Sequence, residues 1–236
     1  MARNPGVHDT PRRFGLIGGL SPASTVDYYE LINNGVRKRM GGRHTAELLM
    51  WSCDMHPVVE AEFAGDWERV GAHLATAARA LEGAGCEGLL VACNSVHNKV
   101  AFACLRSSVR IPILHIAEVT ADALLQADIR RRVAVLGTIY TAAAGSFFEQ
   151  CLKSRGLDVV LDDEAARHEL DRLIFQELTL GSFTPAARLW LESRISLFCH
   201  VKGCDAVVLA CTELGALRAS CSNALQPATT HCNALH

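Results

Sequence analysis

The sequence predicts an α/β protein made of two similar halves, each a doubly wound parallel sheet with helices on both faces. Short runs of β-branched and aliphatic residues alternate with longer segments of helical period, which is typical of this class. Two segments of the first half also recur in the second half, in the same order and at nearly the same offset. The length of 236 residues, above the roughly 100–200 residues usual for one domain, fits two such halves.

Seven short runs rich in aliphatic and β-branched residues are predicted to be strands. They cover residues 14–19, 47–52, 88–92, 111–116, 133–138, 157–161 and 206–210. The first helix is predicted over 23–40, because Ser21 is a typical N-cap residue and Pro22 is favoured at the first helical position. It should end at the glycine pair 41–42. Further helices are predicted over 66–82, 117–127 and 142–154, with two longer ones from about Asp163 and Thr184.

The recurring segments indicate an internal duplication. Residues 12–19 resemble residues 131–138, an offset of 119, and residues 85–94 resemble residues 203–212, an offset of 118. The alternative is two ordinary strands in each half, since any doubly wound fold reuses this pattern.

Four segments result from this interpretation. They are a disordered tail over 1–12, a first α/β half over 13–116, a second half over 117–218 and a shortened C-terminal segment over 219–236.

Composition and charge exclude several classes of partner. Lys and Arg total 23 against 25 Asp and Glu, a net charge of -2, which gives no electrostatic basis for binding nucleic acid or an anionic membrane. No apolar run approaches the roughly 18–20 residues of a membrane span, and residues 1–13 lack an apolar signal core. We therefore expect a cytoplasmic protein. Without an export signal, the ten cysteines are expected to be reduced, and none forms a Cys-x-x-Cys zinc pair.

One cysteine in each repeat has a special place. Cys93 and Cys211 directly follow a predicted buried strand and stand where the next helix is expected to start. Ligands of open α/β sheets bind at this edge, where helix N-termini can lower a thiol pKa below the free value of about 8.5. Cys86 and Cys204 precede their strands and are assigned to structure. The other cysteines have no partner and are interpreted as core or incidental, namely Cys53, Cys104, Cys151, Cys199, Cys221 and Cys232.

Two equivalent thiols facing one ligand suit racemisation or epimerisation. One thiolate would take a proton from one face of a carbon, and the opposite thiol would return a proton to the other face. The adjacent carboxylate needs hydrogen-bond donors to stabilise the developing negative charge. Donors are expected from the residues that come directly after the thiols, which are Asn94, Ser95, Thr212 and Glu213.

Other polar residues at this edge have two interpretations each. Thr138 is either a hydroxyl donor to the ligand or a helix cap. The Gly18-Gly19 pair with Ser21 either cradles a carboxylate through backbone N–H groups or forms the tight turn between strand and helix. His97 lies one helical turn after Cys93, where it either stabilises the thiolate or is a core residue.

The motifs around these residues resemble the aspartate/glutamate racemases that work without pyridoxal phosphate. They are Gly-Gly-Leu-Ser-Pro-Ala-Ser-Thr at 18–25, Ala-Cys-Asn-Ser-Val-His at 92–97, Leu-Gly-Thr at 136–138 and Ala-Cys-Thr-Glu-Leu-Gly at 210–215. The broad-specificity amino-acid racemase branch is the most similar, through Tyr-Tyr-Glu-Leu-Ile-Asn at 28–33, Met-Gly-Gly-Arg-His at 40–44 and Leu-Ile-Phe-Gln-Glu-Leu at 173–178.

The resemblance implies two flavodoxin-like halves, a homodimer, an amino-acid substrate and no cofactor. Cys93 and Cys211 would be the proton-transferring pair, and Leu20 and Glu62 would contact the substrate. The presence of both cysteines favours two-base racemisation.

Two departures from the family pattern leave other functions open. A basic residue before the Leu-Ile-Phe segment contacts the substrate's side-chain carboxylate in parts of the family, whereas Arg167, His168 and Glu169 stand here. The tail has Ala228 where an Asp is expected and ends before the family's closing helix. The alternatives are an isomerase or decarboxylase of a small dicarboxylate, and a non-catalytic ligand-binding paralogue.

Overall fold

A computed structural model of the chain describes residues 12–129 and 132–219. The first half contains β1 (Phe14–Gly18), α1 (Pro22–Met40), β2 (Leu48–Ser52), α2 (Met55–Phe63), α3 (Trp67–Gly83), β3 (Gly88–Val91) and α4 (Lys99–Ser107). The second half contains α5 (Ile116–Gln126), β4 (Arg132–Leu136), α6 (Phe147–Ser154), β5 (Asp158–Val160), α7 (Glu164–Gln176), α8 (Pro185–Ser196), β6 (Ala206–Leu209) and α9 (Thr212–Ala219).

The strands form two parallel three-stranded sheets of the same topology. Their orders are β2-β1-β3 and β5-β4-β6, so the first strand of each half lies in the middle. In the register, Phe14 pairs with Leu48 and Gly88. This confirms the predicted fold class, and the matching order of the two sheets is what a duplicated α/β half requires.

The second sheet is covered on both faces, as its sequence of consecutive apolar residues predicts. Successive residues of β4 enter different hydrophobic clusters because strand side chains alternate between faces. Val135 packs in a cluster with Phe148 of α6, whereas Leu136 packs with Phe198, which follows α8. Both phenylalanines are almost fully buried.

The predicted strand over 111–116 is wrong. Only an isolated parallel bridge joins Ile113 to Leu89. The Leu89 N–H donates to the Pro112 carbonyl at 2.9 Å, and the Leu114 N–H donates to the Leu89 carbonyl at 2.9 Å. Pro112 itself has no N–H to donate, and α5 begins at Ile116, so the pairing ends after one bridge.

Two helices, α2 and α4, were not predicted by periodicity. The α2 helix begins after Asp54, whose side chain accepts from the His56 N–H at 3.1 Å and so caps this helix. Pro57 stands in the first turn, where a missing N–H does no harm. A helix of nine residues with a proline inside gives a weak sequence signal.

Several predictions lie outside the described residues or remain predictions. The predictions for the tail, for Ala228 and for Cys221 and Cys232 lie in residues 1–11 and 220–236, which the structure does not describe. The proposed division between the halves at 116–117 remains a prediction. Within residues 12–129 and 132–219, no helix is both long and apolar enough to cross a membrane.

Candidate active site

A cavity of about 50 Å³ lies where the carboxyl ends of the strands from both halves meet. Nine of the predicted site residues line it: Leu20, Glu62, Cys93, Asn94, Ser95, Thr138, Cys211, Thr212 and Glu213. The tenth, Ser21, is not among the lining residues. Its Oγ accepts from the Ser24 N–H at 3.4 Å and so caps α1. The tertiary structure therefore brings the two thiols, which are distant in sequence, to one cavity.

The turn between β1 and α1 is a close approach of two backbones. Gly19 has a φ of +83°, and a Cβ placed there would lie 2.2 Å from the Cys53 carbonyl oxygen. The Gly19 N–H donates to Thr25 Oγ1 at 2.8 Å. This bond uses an N–H that a carboxylate cradle would need, so the geometry favours the tight-turn interpretation of the glycine pair.

Replacing Gly19 with alanine should lower the free energy of unfolding by about 2–4 kcal/mol, because both the backbone conformation and the packing oppose a Cβ. Gly42 is the matched control, since its φ is +59° and a Cβ there would meet nothing within 4 Å. Gly42→Ala should cost about 1 kcal/mol from backbone strain alone. Urea denaturation of the two variants measures the difference, and equal losses would contradict the proposed crowding.

Cys93 begins a hydrogen-bonded path to a carboxylate. Its Sγ lies 3.4 Å from Ser95 Oγ, and Ser95 Oγ donates to Glu62 Oε1 at 2.6 Å. Because the Ser95 proton is directed to Glu62, the thiol is the donor to Ser95. The prediction that a helix starts at Cys93 is wrong in detail: a single 3₁₀ turn, Ser95–His97, follows before α4 begins.

Cys211 contacts a carboxylate directly. Its Sγ donates to Glu213 Oε2 at 3.0 Å, and Thr212 Oγ1 donates to the same oxygen at 2.9 Å. All three residues are buried, with Cys211 8% exposed and Glu213 7% exposed. They stand at the start of α9, as the sequence predicts. Each half thus pairs its thiol with a carboxylate, through a serine in one half and directly in the other.

The expected lowering of the thiol pKa values is wrong. Burial raises the pKa of Cys93 to about 12, and the charges of Glu62 and Glu213 add to this effect. Burial also raises the pKa of Cys211 well above its usual value. The charge of Glu213 and the hydrogen bond to its side chain raise this pKa further. Backbone N–H groups do favour each thiolate, from Val96 for Cys93 and from Glu213 for Cys211, but they are outweighed. Desolvation opposes the charged form of a thiol.

Glu62 is a buried carboxylate that titrates near neutral pH. It lies on α2 and is 4% exposed. Burial raises its pKa to about 7, the hydrogen bond from Ser95 opposes this rise, and the charge of Asp171 adds to it. At neutral pH, Glu62 can therefore both accept and supply a proton.

His97 is a neutral core residue. Its Nδ1 lies 2.8 Å from the Cys93 carbonyl oxygen rather than bonding to the sulfur. Burial lowers the pKa of His97 to about 3, and the neighbouring His115 lowers it further. Its ring stacks on Phe102. Of the two interpretations of His97, the geometry favours the core residue over the stabiliser of the thiolate.

Several lining residues had no individual sequence prediction. Those from helices are Met55, Val58 and Val59 of α2 and Ile174 and Phe175 of α7. The α2 residues were missed because the helix itself was missed. A signal for Ile174 and Phe175 did exist, since both fall within the Leu-Ile-Phe segment that resembles the racemases.

Aromatic pairs join the two halves beside the cavity. Phe63 and Phe175 pack edge to face with ring centroids 5.0 Å apart, and Trp67 and Tyr140 do so at 5.2 Å. The first residue of each pair belongs to the first half and the second to the other half. Each such contact adds about 0.5–1.5 kcal/mol beyond area burial, so these pairs help to hold the halves around the cavity.

No metal site is formed in the described part of the chain. Among residues 12–129 and 132–219, no group of three or more His, Cys, Asp or Glu side chains is arranged to hold a metal ion. All eight cysteines within these ranges are free thiols.

Two parallel α/β halves that enclose one cavity between their strand ends are the architecture of two-domain racemases. A family model for Asp/Glu/Hydantoin racemase matches residues 17–236, so the chain belongs to the Asp/Glu/Hydantoin racemase family.

Solved structures agree with this membership. A Yersinia pestis protein given as a "putative Asp/Glu Racemase" is 33% identical, with 87% of this chain and 88% of that chain covered and a TM-score of 0.76. An aspartate racemase homologue from Pyrococcus horikoshii OT3 is 30% identical, with 87% and 88% covered and a TM-score of 0.71. The aspartate racemase of Picrophilus torridus, 21% identical with 87% and 83% covered, shares the fold with a TM-score of 0.65. The family match and the first two likenesses support an isomerase of the amino-acid racemase type.

Proposed function

We propose that the chain is an amino-acid racemase that needs no cofactor and uses Cys93 and Cys211 as its two bases. One observation carries this proposal. Thiols from corresponding positions of two similar halves line one cavity, and each is hydrogen-bonded towards a carboxylate of its own half. Two acid/base groups on either side of one carbon are what inversion by proton transfer requires.

The neighbouring carboxylates allow the thiols to act as bases although the thiol pKa values are raised. Cys211 passes its proton to Glu213 and becomes a thiolate, which then removes the α-proton of the substrate. Cys93 donates its own proton to the other face of the carbanion and is reprotonated from Glu62 through Ser95. The forward turnover therefore leaves a proton on Glu213 and an ionised Glu62. In the reverse direction Cys93 passes its proton through Ser95 to Glu62, and Cys211 donates its proton to the carbanion and is reprotonated from Glu213. Repeated turnover in one direction requires the two carboxylates to exchange protons with solvent.

The polar residues of the strand ends would hold the groups common to all amino acids. Asn94 Oδ1 is buried and has no hydrogen-bond partner among the described residues. An unsatisfied buried acceptor is unfavourable by about 1–3 kcal/mol, and the α-ammonium group of a substrate would satisfy it. Thr138 and Thr212 line the same cavity, and their hydroxyls would donate to the α-carboxylate as negative charge develops.

Racemisation should depend on pH through Glu62. The carboxylate must be ionised to accept a proton from Cys93, and the pKa of Glu62 is raised to about 7. In the other direction Glu62 must be protonated to return a proton to Cys93, so we expect kcat/KM to be highest near pH 7 and to fall on both sides. Initial rates of optical change from pH 5 to 9 measure this profile. Because the maximum near pH 7 belongs to Glu62, it should disappear in Glu62→Gln, and its persistence there would assign it to another group.

Isotope exchange tests the proposed reaction. A single enantiomer incubated with the wild-type protein in D₂O should take up deuterium at the α-carbon, and the label should appear in the opposite enantiomer as optical activity is lost. Uptake of deuterium without inversion would point to one-base chemistry. No uptake with any amino acid, together with turnover of a small dicarboxylate, would favour an isomerase or decarboxylase instead.

The oligomeric state and the cellular location are also proposals. A homodimer, as the resemblance implies, should sediment at twice the chain mass of 25.5 kDa. Cytoplasmic location can be checked by fractionating cells of the source organism.

A further inference from the structure

Helices α2 and α7 give the cavity an apolar wall. Met55, Val58 and Val59 line it from α2, and Ile174 and Phe175 line it from α7. The two helices follow the corresponding edge strands β2 and β5, so both halves contribute to this wall. The thiols and most of the polar lining residues come from the strand ends instead.

The remaining polar groups of this wall are already bonded within the protein. Thr179 follows α7, and its Oγ1 donates to the Phe175 carbonyl at 3.1 Å. Glu62 is the charged lining residue of α2, and its Oε1 accepts from Ser95. The wall therefore offers a substrate side chain mainly aliphatic and aromatic carbon.

The charge around the cavity is negative. Both charged residues that line it, Glu62 and Glu213, are carboxylates. Asp171 lies close enough to add to the rise in the pKa of Glu62. No Arg, Lys or His of the described ranges is among the lining residues. A substrate side chain that ends in a carboxylate would find no cation there, and an unpaired buried charge is strongly unfavourable.

The basic side chains of α7 do not line the cavity. Arg172 donates to Glu169 at 2.8 Å and to Glu177 at 3.1 Å. Arg167 donates to a backbone carbonyl at 3.0 Å, and His168 is mostly exposed, with 64% of its side-chain surface open to solvent.

We propose that the amino acid bound in this cavity has an uncharged, apolar side chain, such as that of leucine or methionine, rather than that of aspartate or glutamate. This inference rests on the proposed function and adds the substrate class. The α-carboxylate and α-ammonium groups contact the polar strand ends, and the side chain packs against α2 and α7. Apolar contacts there would stabilise a leucine side chain, whereas the neighbouring acids would repel a second carboxylate.

A panel of single enantiomers tests the proposal on the wild-type protein. L-Leucine, L-methionine, L-aspartate and L-glutamate are compared for optical change and α-deuterium uptake in D₂O. We expect kcat/KM for leucine or methionine to exceed that for either acidic amino acid by about 100-fold or more, which is within the range that one pocket can achieve. Equal or faster racemisation of aspartate or glutamate would overturn the substrate class and leave the proposed function standing.

A binding measurement separates the two proposals when turnover is absent. The same amino acids are tested for stabilisation of the protein against thermal unfolding, because a ligand that binds only the folded state raises its stability. Stabilisation by leucine or methionine but not by aspartate, without racemisation, would support the ligand class and contradict the racemase function. Neither stabilisation nor racemisation with leucine or methionine would contradict the substrate class, whereas the absence of racemisation with every amino acid would contradict the function.

A charge introduced into the wall should reverse the preference. Val59 lines the cavity and is partly exposed, so the α2 helix can accept a longer residue there. Val59→Arg adds a cation, and Val59→Gln is the control that removes apolar surface without adding charge. The ratio of kcat/KM for aspartate to that for leucine should rise at least about tenfold in Val59→Arg over Val59→Gln. An unchanged ratio would contradict the assignment of this wall to the substrate side chain.

Discussion

Alanine at either Cys93 or Cys211 should reduce racemisation by about 10²–10⁴-fold, the range supplied by a positioned acid or base. Each single-cysteine variant should still exchange the α-proton of one enantiomer with D₂O, because the remaining thiol can remove a proton and return a deuteron to the same face. The two variants should therefore label opposite enantiomers. Mass spectrometry after chiral separation measures the label, and it also assigns each thiol to its enantiomer.

Cys104→Ala is the control for these variants. Cys104 is a partly buried thiol of α4 that does not line the cavity, so its removal should leave both racemisation and exchange near wild-type rates. Racemisation by Cys93→Ala or Cys211→Ala at close to the wild-type rate would remove that thiol from the mechanism. Labelling of the same enantiomer by both variants would show that the thiols do not face opposite sides of the carbon.

Glutamine at either partner carboxylate should slow racemisation by about 100-fold at neutral pH. Glu213→Gln removes the acceptor for the Cys211 proton, and Glu62→Gln removes the final acceptor for the Cys93 proton. The equilibrium constant of racemisation is one, so kcat/KM must fall equally for both enantiomers. The Glu213→Gln rate should recover as the pH rises, because the Cys211 thiol can then ionise to solvent without the repulsion of that charge.

Single-cysteine backgrounds separate the two carboxylates. When Cys211 is the only working thiol, Glu213→Gln should stop α-proton exchange and Glu62→Gln should leave it largely intact. The converse should hold when Cys93 is the only working thiol. Glu60→Gln is the matched control, since Glu60 is an exposed residue of α2 that does not line the cavity. If each carboxylate affected both thiols alike, the pairing of one thiol with one acid would be incorrect.

The strand and helix pattern could be predicted where local chemistry decides it. Asp163 and Thr184 cap their helices through side-chain oxygens that accept from backbone N–H groups three residues ahead, at 2.8 and 3.1 Å. Capping depends on neighbours in sequence, so it is visible without the fold. The prediction of a strand over 111–116 was wrong because local composition did not decide the structure there. The aliphatic residues favour a strand, but Pro112 and the start of α5 limit the pairing to one bridge.

The α2 helix shows why part of the apolar wall of the cavity could not be predicted. Its sequence gives little indication of a helix. It contributes to the cavity only because the fold places it next to residues of other elements. Glu62 was suggested only by the resemblance to the racemases, because its partner Ser95 stands 33 residues further along the chain. Contacts over such separations are set by how the helices pack on the sheet, not by local periodicity.

The sequence alone predicted the two-half organisation, which the two sheets confirm, and it selected Cys93 and Cys211 among ten cysteines as the candidate thiols. Repeats and residue order are properties of the chain itself, and both thiols stand after equivalent strands. Only the tertiary structure decided the protonation state of these thiols. The position at a helix start predicted lowered pKa values, but burial and two carboxylates raise them. Desolvation depends on the groups that pack around a thiol in three dimensions, which residue order does not contain.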